Sequence, residues 1–256
     1  MFMDILGIDI HQMISEIDWL VWSIAAFSLL IGCWIQTALG FGMAVIAAPI
    51  IVIFKPEWVP VILTMTALIL SLINTWDQRK HLEASYLFVP FFSRLPGTLL
   101  GAWLLTLLNA AWLQLSVAIC VLLAVVISYA GKQFPYTPKR LAFASFISGI
   151  TGTTTSIGGP PMALVMQHGK AHTIRANLSL YFSYSCVISL MVYAYLGLIT
   201  DSILVICISF IPVCLLGFVT GIKARTYVDN GRFRPLLLIL CSIAGSIALV
   251  GAISQL

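Results

Sequence analysis

Charge is what this sequence has least of. Lys and Arg number 13 and Asp and Glu number 9 in 256 residues, so only 9% of the chain is charged. Soluble domains carry about 25%. This scarcity excludes a solvated globular surface. The net charge of +4 comes from basic residues scattered between apolar stretches, not from a basic patch, so nucleic-acid binding is not expected. Histidine is equally sparse: the 4 His are dispersed without metal-ligand spacing, and neither a metal nor another cofactor is expected. Cys33, Cys120, Cys186, Cys207, Cys214 and Cys241 form no CxxC pair and read as small packing or lipid-facing residues. The N-terminal "MFMDILGIDIHQMISEID" lacks the basic opening of a signal peptide. Also missing are HExxH, GxSxG and any carboxylate pair inside an apolar run. Asp4, Asp9, Glu16, Asp18, Glu57, Asp77, Glu83, Asp201 and Asp229 all fall at run ends or in loops. A membrane-embedded enzyme therefore has no visible chemistry, and no enzymatic activity is expected. A non-transporting scaffold or assembly protein is disfavoured by the lack of a soluble domain.

What the chain has is apolar length: 61% of its residues are hydrophobic. The apolar runs cover 19–54, 57–76, 86–107, 112–131, 139–168, 174–197, 202–222 and 233–254. A helix crosses the hydrocarbon core with about 20 residues. The expected fold is therefore an all-α membrane protein of eight to ten helical segments. Two runs are too long for one helix. A straight helix over 19–54 would reach about 54 Å against a core of about 30 Å. Both long runs contain glycines near the middle, and each is expected to be a hairpin with its break there.

Basic residues set the sides. Arg79 and Lys80 mark one cytoplasmic loop, Lys132, Lys139 and Arg140 a second, Lys170 and Arg175 a third. Lys223, Arg225, Arg232 and Arg234 mark a fourth. The N-terminus, 108–111, 198–201 and the C-terminus carry no Lys or Arg and are assigned outside, which makes both termini periplasmic. Lys55, beside Glu57, is the exception. Run 19–54 then starts and ends outside, and run 139–168 starts and ends inside.

The two long runs are related. A shift of 116 residues places Thr37 on Thr153, Gly42 on Gly158, Ala47 on Ala163 and Pro96 on Pro212. It also places Leu99-Leu100-Gly101 on Leu215-Leu216-Gly217. One pattern starting on opposite sides of the membrane is an inverted-topology repeat, here 19–131 and 139–254 within a single membrane domain. Each half is expected to be a broken hairpin plus three transmembrane helices. Such repeats hold substrate near the midplane, at broken helices.

Irregular backbone at that depth is tolerated only inside protein or beside a cavity. In "TTTSIGGPP", Gly158 and Gly159 permit a tight turn, and Pro160 and Pro161 suit the first turn of a helix expected over about 160–168. Its positive N-terminal end favours an anion. Thr153, Thr154, Thr155 and Ser156 add hydroxyls. In the first hairpin Gln36, Thr37, Gly40 and Gly42 are candidates for the same role, and the two turns would enclose one anion between them. Glycine as close packing and proline as a kink are the competing readings. Asn177, Tyr181 and Tyr184 share a helix face, for lining a cavity or for helix–helix bonding. Arg94, in "FFSRLPGT", is the one basic residue deep in a span. It is assigned to anion binding or gating, with an interhelical structural bond as the alternative.

At these residues the chain resembles the TauE/SafE family of sulfite and organosulfur-anion exporters. The resemblance rests on the turns "ALGFGMAVIAAPII" and "TSIGGPPMALVMQ", and on "IRANLSLYFSYSCVISLMVYAYLGLIT" and "NGRFRPLLLILCSIAG". The first turn carries Phe41 and Met43 where the family's commoner pattern is consecutive glycines. The resemblance implies a bacterial inner-membrane transporter of small sulfur-containing anions, with the anion and the bilayer as partners. Homo-oligomerisation stays open. Without an intramembrane carboxylate to relay protons, export driven by the membrane potential is expected. Proton-coupled uptake is the alternative.

Overall fold

The computed structural model describes residues 18–130, 137–166, 170–228 and 234–254. The markers Lys132 and Arg232, and the carboxylates Asp4, Asp9, Glu16 and Asp229, fall outside them. Helix is the only regular structure among the described residues.

The first long run breaks at its glycines. Helix α1 (Trp19–Leu39) starts on the Asp18 side chain, which accepts from the Leu20 and Val21 N–H groups. It stops where Gly40 turns left-handed at φ 92°, and Gly42, at φ 118°, opens α2 (Met43–Phe54). Only glycine adopts such angles without strain. Next come α3 (Val59–Asp77), α4 (Phe88–Leu107) and α5 (Ala110–Ala130).

The second half begins with α6 (Pro138–Thr155), capped by Thr137 and with Pro138 in its first turn. Ser156 ends it in the left-handed region at φ 61°. Then follow α7 (Gly159–Met166), α8 (Ala171–Tyr195), α9 (Asp201–Ser209), α10 (Ile211–Val228) and α11 (Arg234–Ile253). The helix expected over 160–168 is α7; residues 167 and 168 lie outside the described set. At 12 and 8 residues, α2 and α7 reach about 18 and 12 Å, short of a core of about 30 Å. Over the described residues, each hairpin therefore joins a long arm to a short one.

One expected span carries a kink. Run 202–222 lies within one apolar span, Asp201–Arg225, interrupted at Phe210 between α9 and α10. Pro212, second in α10, has no N–H to bond back into α9. Its counterpart Pro96 stays inside α4.

The main helix pairs are α4 with α6, α10 with α1, α11 with α5 and α3 with α8. The 116-residue shift carries α1 to α6, α3 to α8 and α4 to the α9–α10 segment. The α4–α6 pair therefore corresponds to α10–α1. Glycines set both contacts. A Cβ on Gly97 or Gly101 would run into the Phe146 or Ile150 carbonyl of α6. One on Gly149 would sit 2.7 Å from the Arg94 carbonyl oxygen. In the corresponding pair, a Cβ on Gly217 would sit 2.6 Å from Cys33 Cβ, and one on Gly221 2.7 Å from the Trp34 carbonyl oxygen. Lipid offers no hydrophobic drive for helix association, so such close backbone approach supplies much of the adhesion.

The loops gather at two ends. Lys80, His81, Lys170 and His172 surround one cavity, with the two imidazole rings 4.3 Å apart. Glu57, Asn109, Gly197 and Ser202 surround another. Lys55 faces Glu57 at 3.8 Å.

Gly97→Val should separate α4 from α6. We expect the variant to lose its monodisperse peak in detergent or to unfold at lower temperature, with a stability loss of about 1–3 kcal/mol or more. Gly197→Asn is the control: its site is open and its φ of 69° suits Asn.

Candidate functional site

The two hairpin turns meet. A cavity of about 50 Å³ is lined from the first by Gln36, Phe41 and Gly42, and from the second by Gly152, Ile157 and Gly158. These are three pairs under the 116-residue shift. Ser156 and Gly159 complete the second turn, Thr64 and Ala67 come from α3, and Arg94 from α4. Helix α8 contributes Phe182, Ser185, Cys186 and Ser189, whose spacing puts them on one face.

Among the described residues, Arg94 is the only cation of this lining and no carboxylate is part of it. Its side chain is 2% exposed. Nη1 donates to the Ser148 carbonyl at 2.9 Å, to Ser148 Oγ at 3.1 Å and to Tyr181 Oη at 3.4 Å. Nη2 donates to Ser189 Oγ at 3.3 Å. Nε is buried without a hydrogen-bond partner. The guanidinium lies over Gly152, where a Cβ would come within 3.0 Å of Nη2. All its partners are neutral. Burying a charge among neutral groups is costly unless a counter-charge joins it.

The two halves differ at this point. The counterpart of Gly152 is Gln36, whose side chain donates to Ser71 Oγ at 3.3 Å and accepts from the Met43 N–H at 3.4 Å. The counterpart of Arg94 is Phe210, fully buried and stacked on Trp22 at 5.4 Å. One half leaves room for a guanidinium and supplies it; the other fills the same space.

The second turn is held from several sides. Ser156 Oγ lies 3.0 Å from Thr64 Oγ1 and 3.1 Å from the carbonyls of Val59 and Pro60. Ser148 Oγ donates to the Gly158 carbonyl at 2.6 Å. Ser148 therefore ties the Gly-Gly-Pro-Pro turn to Arg94.

The remaining candidates from the sequence sit elsewhere. Thr37 and Gly40 belong to the end of α1, where Arg225 Nε donates to the Thr37 carbonyl and Arg175 Nη1 to the Ala38 carbonyl, both at 3.2 Å. Arg225 also pairs with Asp77 at 2.7 Å and reaches Asn74 at 3.1 Å. Thr153 bonds Ser189, and its carbonyl accepts from Tyr193 at 2.7 Å. Thr154 bonds back to its own helix. Pro160 and Pro161 start α7 behind the lining. Asn177 accepts from the Glu83 N–H near the His81–His172 end. Tyr181 touches Arg94 without lining the cavity, and Tyr184 donates to the Phe91 carbonyl. Ser148, Gly152, Ser185 and Ser189 were missed. Ser185 and Ser189, four apart, were a signal of the same kind as the tyrosines, on a neighbouring face.

The long apolar helices define a multi-pass integral membrane protein, and the polar cavity lies where its two hairpin turns meet. The chain belongs to the sulfite exporter TauE/SafE family, which matches residues 24–247. This is a transporter family. No curated protein and no solved structure matches the chain.

Gly159→Val tests the turn. A Cβ there meets Phe41 at 3.3 Å and Phe182 at 3.6 Å, so the larger side chain grows into the cavity. We expect normal membrane insertion and labelled-sulfite flux at background. Normal flux would move the site elsewhere. Gly158 is the poorer probe, because its Cβ would strike the Ser148 carbonyl at 2.9 Å.

Proposed function

We propose that the protein carries a small sulfur-containing anion, sulfite or a sulfonate, across the bacterial inner membrane, and that the cavity at Arg94 is its binding site. The observation that carries this reading is a buried guanidinium with no carboxylate partner among the described residues, placed where two hairpin turns meet. In this reading residues 19–131 and 139–254 are inverted repeats. The anion contacts Arg94 together with the Gly42 and Gly158–Gly159 turns, Gln36, Ser156 and the α8 hydroxyls. The positive end of α7 adds a weaker attraction.

Direction follows from the energy available. Among the described residues, the cavity lining holds no carboxylate to carry a proton. The membrane potential moves an anion outward with about 2.3 kcal/mol per charge per 100 mV. The protein therefore acts as an electrogenic exporter. In proteoliposomes at fixed pH, a valinomycin-imposed potential should drive labelled-sulfite flux and reverse it when its sign is reversed. Flux that ignores the potential and follows a pH gradient would replace export with proton-coupled uptake.

Both termini are proposed to be periplasmic. On a cysteine-free background, an impermeant maleimide should label Ser254→Cys from the periplasm and Lys139→Cys only from the cytoplasm. Labelling of both from one side would rule this topology out.

A further inference from the structure

The cavity beside the loop between α3 and α4 is far larger than the central one, about 440 Å³ against about 50 Å³. Two separate stretches of chain build its charged face. Lys80, His81 and Glu83 come from the α3–α4 loop, and Lys170 and His172 from the start of α8. The two stretches touch where the His81 and His172 rings stand 4.3 Å apart, and where the Glu83 N–H donates to Asn177 Oδ1 at 2.9 Å. Four basic side chains thus border one space, with Glu83 as the single carboxylate among the described lining residues. Lys80, Lys170 and Glu83 form no ion pair among the described residues.

These charges are misplaced for the protein alone. A helix has its positive end at its N-terminus, where cations are unfavourable. Yet α8 opens with Lys170 and His172, and Lys170 gives the first turn no side-chain hydrogen bond. A marker of sidedness needs only lysine or arginine somewhere in a loop. It needs neither two imidazoles in contact nor two stretches of chain that bring four bases to one cavity. Groups so arranged repel one another unless an anion lies between them. The ammonium groups bind phosphate as point charges, and the imidazoles add N–H donors. The volume leaves room for the organic part of an ester beside its phosphate. An aromatic strip leads from the rim along the start of α4. Tyr86 is 44% exposed, Phe88 67% and Phe92 61%, with the two Phe rings 5.0 Å apart. Aromatic side chains at the headgroup level anchor membrane proteins, and basic pockets between their helices take anionic headgroups.

We propose that this cavity binds the phosphate of a phosphate ester between Lys80, His81, Lys170 and His172, and that the ligand clasps the α3–α4 loop to α8. Two sources present this chemistry: the headgroup of an anionic lipid, reached along Phe88, and a soluble phosphate ester. The site does not depend on which anion the Arg94 cavity carries.

The test uses the full chain in detergent, freed of native lipid. Short-chain phosphatidylglycerol, phosphatidylcholine with the same chains, and glycerol phosphate are titrated separately. Binding is read by native mass spectrometry and by the rise in unfolding temperature. Phosphatidylglycerol or glycerol phosphate should bind saturably. Phosphatidylcholine, whose phosphate is neutralised by its own choline, should be weaker by about tenfold or more. Lys80→Gln combined with Lys170→Gln should weaken the preferred ligand by about tenfold or more. His81→Gln combined with His172→Gln should weaken it too, and decides the matter if the lysine variant does not fold. Lys55→Gln, beside Glu57 and away from this cavity, should leave the affinity unchanged. Tighter binding of phosphatidylglycerol makes the bilayer the source; glycerol phosphate binding as tightly makes it a soluble ester. Binding of neither overturns the proposal. So does an unchanged affinity in the lysine and histidine variants, or an equal loss in Lys55→Gln, which would reduce the effect to general surface charge.

Discussion

The structure around the cavity depends on one buried guanidinium. Arg94 reaches the centre because α4 lies against α6 at backbone distance, and it can do so only because Gly97, Gly101 and Gly149 have no side chains at the contact. Once there, it rests over Gly152 and takes the Ser148 carbonyl and hydroxyl as acceptors. Ser148 in turn holds the Gly158 carbonyl. Helix packing, the fold of the second turn and the charge in the cavity are thus one connected set of contacts. A change at any glycine of this contact would be felt at the charge.

The helical framework was legible because membrane physics leaves few alternatives. Spans of about 20 apolar residues must be helices, and runs too long for one crossing must turn. The turns fell at Gly40–Gly42 and Ser156–Gly158, where left-handed backbone or close approach required small residues. The break at Phe210 was not legible. Pro96 and Pro212 look alike in sequence, yet only the second lies beside a helix break.

The lining was only partly legible, for reasons particular to each residue. Gln36, Gly42, Arg94, Ser156, Gly158 and Gly159 line the cavity. Thr154 returns its hydroxyl to its own helix, as threonines in membrane helices commonly do. Thr153 faces Ser189 and Tyr193 instead. Pro160 and Pro161 suit the start of α7 but remove two of its first N–H groups, so hydroxyls and Arg94 carry more of the polar lining than the helix end does. On α8, the Asn177–Tyr181 stripe and the Ser185–Ser189 stripe differ by a small rotation, which sequence spacing alone does not resolve.

The bonds pinning the two hairpins differ in kind. Near the end of α1, the Thr37 carbonyl is held by Arg225, itself locked to Asp77 by a partly exposed ion pair. The related carbonyl of Thr153 is held by the buried hydroxyl of Tyr193, a neutral bond. Dissolved salt screens the first and leaves the second untouched. Ionic strength therefore acts on the end of the first hairpin's long arm and not on that of the second, so the two turns are anchored by bonds of different salt sensitivity.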